Sequence, residues 1–291
     1  MPDAQTIRRY LDALAIDYRQ PQTWQVFPDR KGARCRPGHR TLRLVDALGW
    51  MAEAQDAGFE SVGVDLICGI PGETNRDLED DVRTAMTFQP RHVSAYQLTL
   101  EEGTPLTERL GGEPRDEDDL LGQMRIAARM LSRGGWNRYE ISNFAKPSFE
   151  CRHNVSCWHY GEYLGLGAAA ASFVRLGDPA SHELRVTSHD FARRWTQVRD
   201  TDAYVREKGV PELDRIDART AMAEFCFLAL RTSEGISPAQ FREAFGSDFE
   251  GTFESVKDGL IVDGLLAIDD GNYVLTDRGR EISNQVFTRF I

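Results

Sequence analysis

The stretch VGVDLICGIPGETNRDLEDDVRTAMTFQPRHVSAYQL constrains the fold most. Ser61–Ile67 alternates, with Val62, Val64 and Leu66 on one side and Gly63, Asp65 and Ile67 on the other, which is the period of a strand. Thr74 then stands where a helix N-cap is wanted, and Leu78, Val82, Ala85 and Met86 recur at helical spacing up to Phe88. Pro90 stops that helix, and His92–Leu98 reads as a second strand. Strand, helix and strand in so short a span predict a βαβ unit with two neighbouring parallel strands. A third helix is predicted over Asp116–Arg133, stopped by Gly134 and Gly135, and RYEIS as a third strand. Repeated units of this kind give an α/β layer or barrel whose active edge lies at the carboxyl ends of the strands. Asp65, the GIPG turn, Thr99 and Asn143 are predicted at that edge.

The last 73 residues read as a separate unit. Helices are predicted over 219–231, Pro238–Phe245 and Phe249–Asp263, the third burying Phe253, Val256, Leu260 and Ile261. LLAID and NYVLT flank Asp270-Gly271, a two-residue hairpin signal. A final helix is expected from Asp277 to Phe290. Three helices and a hairpin suggest a winged helix, a module that often binds DNA. Here it carries seven Lys/Arg against twelve Asp/Glu, and Lys257 is the single base of its third helix. Phosphate repulsion makes packing or docking the better role, and no nucleic-acid partner is expected. Residues 176–218 read as a polar connector with an aromatic patch around Phe191 and Trp195.

The head differs from the body. The whole chain of 291 residues has a net charge of −11, yet residues 1–43 hold nine Lys/Arg and four Asp/Glu. One helix is expected over Gln5–Tyr18, followed by a basic, turn-rich arm containing Cys35; a further helical face runs through Leu44, Leu48, Met51 and Ala52. Units are therefore drawn at 1–40, 41–175, 176–218 and 219–291. No apolar run nears the ~20 residues of a membrane span, and no leader pattern opens the chain, which predicts a cytoplasmic protein. Five cysteines at irregular spacing are no disulfide framework, and no CxxxCxxC occurs among the 291 residues.

Three places invite chemistry. Asp65 is the lone carboxylate of an apolar strand, either bonded to backbone amides or touching a polar cofactor. GIPGET shapes a tight turn, lacks the Lys-Ser/Thr of a phosphate loop, and leaves room for a ligand backbone. ECRHNVSCWHYGEYLGLGAAAASF is the densest cluster, with Cys151, His153, Cys157 and His159 in nine residues. Zinc is one reading of it, against which the short spacing counts. A single histidine on haem iron is another, and a structured turn with half-buried aromatics is the third.

Taken in order, VGVDLICGIPGET, HVSAYQLTLEEGTPL, the RYEISNF…GAAAASF segment and LTDRGREISNQVF resemble the radical SAM proteins of the oxygen-independent coproporphyrinogen III oxidase-like family, in its haem-chaperone branch. The resemblance covers about Thr41 to Ile291. It implies an incomplete (β/α) barrel of radical SAM type followed by the winged-helix-like domain, with S-adenosylmethionine at the strand ends. By position, Asp65, Thr99 and Ile141 correspond to S-adenosylmethionine contacts. The haem-associated HNxxYW pattern reads HNVSCW here, so His153, Asn154 and Trp158 match and Cys157 replaces the tyrosine; His153 is the implied iron ligand. The family's [4Fe–4S] cluster needs a cysteine triplet that these residues lack. The head accordingly reads as a remnant joined to the later barrel across a deletion. The expected role is haem or porphyrin binding and delivery to an acceptor protein, with radical chemistry doubtful and no catalytic residue assigned. The alternative is a non-catalytic fragment or a docking partner of a complete enzyme.

Overall fold

The computed structural model describes residues 53–101, 103–109, 116–176, 190–206 and 208–291. The helices expected in the head, and Cys35, lie outside the described residues.

The βαβ unit is present. Strand β1 (Gly63–Cys68) runs parallel to β2 (His92–Gln97) in unbroken register from Gly63 beside His92 to Cys68 beside Gln97. Between them, α1 (Asn75–Thr87) starts at Thr74, whose hydroxyl accepts the Asp77 amide while the Asp77 carboxylate accepts the Thr74 amide. That reciprocal pair satisfies two of the amides a helix start leaves open. After a short helix α2 (Pro105–Arg109), helix α3 (Glu117–Arg133) begins at Asp116, which accepts the amides of Asp118 and Asp119. Leu78 and Val82 of α1 and Ala127 and Leu131 of α3 close over Leu66, Val93 and Ala95, forming one core on one face of the sheet. Trp136 is buried there, its indole N–H donating to the Pro90 carbonyl at 2.7 Å and the Lys146 ammonium over its ring at 3.5 Å.

The RYEIS strand differs from expectation. The chain forms β3 (Asn137–Arg138), turns at Ile141–Ser142, and returns as β4 (Asn143–Ala145), which pairs antiparallel with β2. The sheet order is β1-β2-β4-β3, so its second half is a hairpin and not another parallel unit.

The described part of the connector holds two strands. Strands β5 (Ala171–Arg175), β6 (Asp190–Thr196) and β7 (Glu212–Asp217) make an antiparallel meander, and the short helix α5 (Thr201–Val205) lies between the last two. Phe173, Ala192 and Ile216 of this sheet join the core of the C-terminal unit.

That unit is built on α6 (Ala218–Ala229), α7 (Pro238–Phe245), α8 (Phe249–Thr252) and α9 (Glu254–Val262). The hairpin follows as β8 (Leu266–Asp269) and β9 (Asn272–Leu275). Asp270 and Gly271 both have positive φ, 47° and 80°, the geometry a two-residue hairpin turn needs. Ile236 bridges Tyr273 and gives the hairpin a third, one-residue partner. The single helices expected over 249–263 and 277–290 are each broken, at Phe253 and Ile282; the latter separates α10 (Asp277–Glu281) from α11 (Ser283–Phe287). The first break rotates the helix, so Leu260 is buried while Ile261, expected in the core, is exposed.

Two clasps join the units. The Arg125 guanidinium on α3 holds both carboxylate oxygens of Glu281 at 2.6 and 2.7 Å. The β3–β4 turn bridges Thr232 through Glu140, and the Ser233 amide donates to the Tyr139 carbonyl at 2.9 Å.

Candidate functional site

The sheet face turned away from α1 and α3 carries polar residues in rows. Asp65, Ser94 and Asn143 are register partners across β1, β2 and β4. Asp65 is exposed, not enclosed as its strand position suggested, whereas Ser94 and Asn143 are buried. The Asn143 amide oxygen has no hydrogen-bond partner, an open polar position in Asp65's row. Thr99 lies just past the carboxyl end of β2 and is exposed. Ile141 is in the β3–β4 turn; its side chain packs on the C-terminal core and its carbonyl accepts the Arg138 guanidinium. Asp65 therefore sits within the sheet, Thr99 beyond its edge and Ile141 at the joint with the C-terminal unit.

His92 opens the next row. Its Nε2 lies 2.8 Å from the Tyr139 hydroxyl, and the two rings meet edge to face. Burial holds its imidazole below the ordinary range, against the opposing pull of Asp65 and Glu140. The folded state thus favours neutral His92, whereas the unfolded chain protonates near the usual value of ~6.5. Its contribution to stability is complete above that value and is lost as pH falls below it. The ring should titrate with a midpoint below ~6.5 by NMR, and a midpoint above it would contradict this placement.

The HNVSCW segment is a short helix, α4 (Arg152–Trp158), begun at Cys151. His153 is exposed, and its Nε2 lies 3.8 Å from the Cys157 sulfur one turn on. His159, just past the helix, faces another way and pairs with Glu234 at 3.2 Å. It lines a cleft of about 590 Å³ with Arg152, Ser156 and Tyr139. Asn154 points inward and hydrogen bonds the Tyr139 hydroxyl, which also lies 3.4 Å from the Cys151 amide. Burial pushes that hydroxyl up to about 12, so it stays protonated and ties α4 to His92. Trp158 is half-buried, with the Arg231 guanidinium 4.6 Å from its ring centre and its indole N–H without a partner. His153 and Cys157 thus face each other while His159 turns away to Glu234, and no group of three metal-ligating residues forms among the described residues. Tyr139 and Arg231 organise this region, and sequence reasoning missed both: one lay in an expected strand, the other at the end of an apolar helix.

A [4Fe–4S] cluster needs several thiolates on one site. Cys68 is buried in the sheet core, where burial and then Glu73 push its thiol up to about 12. Cys226 is buried in the C-terminal core, its thiol raised by the same desolvation. Only Cys151 and Cys157 remain near each other, and burial raises Cys157 as well. The described residues do not fit a cluster.

Residues 216–282 match the model of the HemN C-terminal domain family. Over 265 residues the chain is 30% identical to the heme chaperone HemW of Bacillus subtilis, covering 87% of this chain and 64% of that one. The chain is thus similar to HemW over most of its own length. The HemW of Mycobacterium tuberculosis is 31% identical over 80% of this chain and 56% of its own, and that of Escherichia coli 26% over 82% and 60%. The chain thus spans less than two thirds of the length of these HemW proteins. Its fold superposes with a TM-score of 0.67 on HemN, the coproporphyrinogen III oxidase of Escherichia coli and a radical SAM enzyme. That match is at 15% identity and covers 86% of this chain and 59% of that one. The architecture is accordingly α/β, with a fold shared with HemN and a C-terminal region that matches the HemN C-terminal domain. Among the described residues no helix is long and apolar enough to cross a membrane.

Proposed function

We propose that this chain binds haem at α4 and passes it to an acceptor protein in the cytoplasm. The observation that carries the reading is the state of His153. Among the described histidines, His92 meets a tyrosine hydroxyl and His159 a carboxylate, whereas His153 is exposed with only the Cys157 sulfur beside it. An imidazole in that position is available to iron. Asn154 and Trp158 act indirectly, the first anchoring α4 to Tyr139 and the second stacking on Arg231. An exposed histidine on a short helix would hold the iron at the surface of the chain, which suits a carrier that must release its cargo. The similarity to proteins named heme chaperones supports the same class of ligand.

S-adenosylmethionine belongs to the family pattern, and a polar row with an unpartnered amide oxygen fits a polar cofactor. Asp65, Thr99 and, through its turn, Ile141 would hold it; when bound beside a cluster it is a source of radicals. The thiol arrangement does not fit that cluster, so the reading includes no redox step.

A second reading puts the iron on His159, because that imidazole lines the 590 Å³ cleft. Haem titration of His153→Ala and His159→Ala beside the parent chain separates the two. Loss of the Soret shift in His153→Ala alone is expected. Loss in His159→Ala alone moves the iron to the cleft, and unchanged spectra in both variants sink the α4 assignment.

A further inference from the structure

A second cleft, of about 280 Å³, opens where α3, the β3–β4 turn and the C-terminal unit meet. Its charged lining is Arg129, Arg138, Arg231 and Arg280 against Glu140 and Asp277. Four arginines line one small space in a chain whose net charge is −11.

The two carboxylates offset only part of the positive charge, since there are four arginines and two carboxylates in the lining. Asp277 holds Arg280 at 2.7 Å, and the buried Glu140 accepts the Ser142 amide at 2.8 Å. The other three arginines have no carboxylate within ion-pair distance among the described residues. Arg138 donates to the carbonyls of Glu140 and Ile141, and burial, then the charge of Arg280, draws it below the usual guanidinium range. Arg231 lies between the rings of Trp158 and Phe287, at 4.6 and 5.7 Å, and its buried Nε has no partner. Arg129 on α3 is exposed at the cleft wall.

Gathering like charges in a partly desolvated space is unfavourable unless an anion completes it. Guanidinium forks match the two oxygens of a carboxylate in shape and in charge. We propose that this cleft is a binding site for the carboxylate groups of a small-molecule ligand. With the reading of haem as cargo, on which this identification rests, those groups are the porphyrin's propionates. Trp158 connects the two features: it belongs to the helix that carries His153, and it holds Arg231 at the cleft.

The test has two arms on the full chain, with Arg129→Gln and an Arg129→Gln/Arg280→Gln pair. Both positions are on the surface side of the cleft, and Arg129 makes no ion pair whose loss would disturb folding. In the first arm citrate and inorganic phosphate are titrated by calorimetry. Saturable citrate binding, weakened at least tenfold in the double variant, is expected. No saturable citrate binding, or equal binding by parent and double variant, overturns the proposal; phosphate binding tighter than citrate overturns the carboxylate assignment. In the second arm iron protoporphyrin is compared with its dimethyl ester. The diacid should bind the parent at least tenfold tighter than the ester, and the double variant should lose that preference. An equal preference in both chains overturns the propionate assignment. Citrate binding without any porphyrin binding removes the haem reading and leaves the carboxylate site standing.

Discussion

Phe241→Ala should lower the melting temperature by about 6–20 °C, the shift that a loss of ~3–5 kcal/mol produces in a chain of this size. Phe241 on α7 is fully buried and is the hub of the C-terminal core. Its ring centre lies 4.9 Å from Phe245, 5.6 Å from Phe249, 5.7 Å from Phe225 and 6.1 Å from Phe253. These rings come from α6, α7 and α8 and from the junction of α8 with α9, so one truncation opens a void that four elements share. Rings held in mutual contact relax poorly into such a void, and each lost edge-to-face pair forfeits a further ~0.5–1.5 kcal/mol beyond area burial. Against a total stability of ~5–15 kcal/mol this is a large share. Phe241→Leu keeps most of the volume and should cost distinctly less. Calorimetry of both variants decides it: a fall under about 3 °C for the alanine variant means that the core is looser than this packing implies.

Glu224→Ala should be of similar size by a different route. Glu224 on α6 is buried, and both its oxygens accept the Arg194 guanidinium at 2.7 Å, while one also accepts the Tyr160 hydroxyl at 3.1 Å. Arg194 belongs to β6 and Tyr160 follows α4, so one carboxylate ties the meander and the end of α4 to the C-terminal unit. Removing it leaves a half-buried cation and a buried hydroxyl without their acceptor. Breaking a buried pair from one side costs ~3–5 kcal/mol, because the remaining charge stays desolvated. Glu224→Gln keeps an acceptor and should recover part of the loss. If thermal melts show the alanine and glutamine variants equal to the parent, the triad contributes nothing to stability.

The elements legible in the sequence are those whose local signals agree with their tertiary role. Thr74 with Asp77, and the alternation from Val62 to Leu66, specify α1 and β1 before any packing is considered. The Asp270-Gly271 pair specifies the hairpin because few residues tolerate its positive φ. The meander was hidden because β6 reads DFARRWT, and charged residues at consecutive positions do not suggest a strand. In the folded chain Arg194 finds Asp214 and Glu224 on neighbouring elements, contacts that no local window contains, while Arg193 pairs with Asp190 of its own strand. RYEIS failed differently. Its pattern suits a strand, but Glu140 folds back to accept the Ser142 amide and turns the chain. The breaks at Phe253 and Ile282 interrupt continuous apolar periodicity, which carries no sign of a local kink.

The candidate site was legible in part. His153, Asn154 and Trp158 were singled out by pattern, but their roles depend on which way α4 rolls. Asn154 turns inward to Tyr139 and Trp158 to Arg231, leaving His153 outward. The arginine cleft could not have been read from the sequence, because its four members come from four separate elements.

The central claim is that this chain binds haem. The most direct test is an equilibrium titration of the full chain with iron protoporphyrin, followed by visible absorbance. Saturation at one equivalent per chain, with a shifted Soret band, is the predicted result. A featureless, non-saturating rise in absorbance would contradict the account and leave α4 a structural helix.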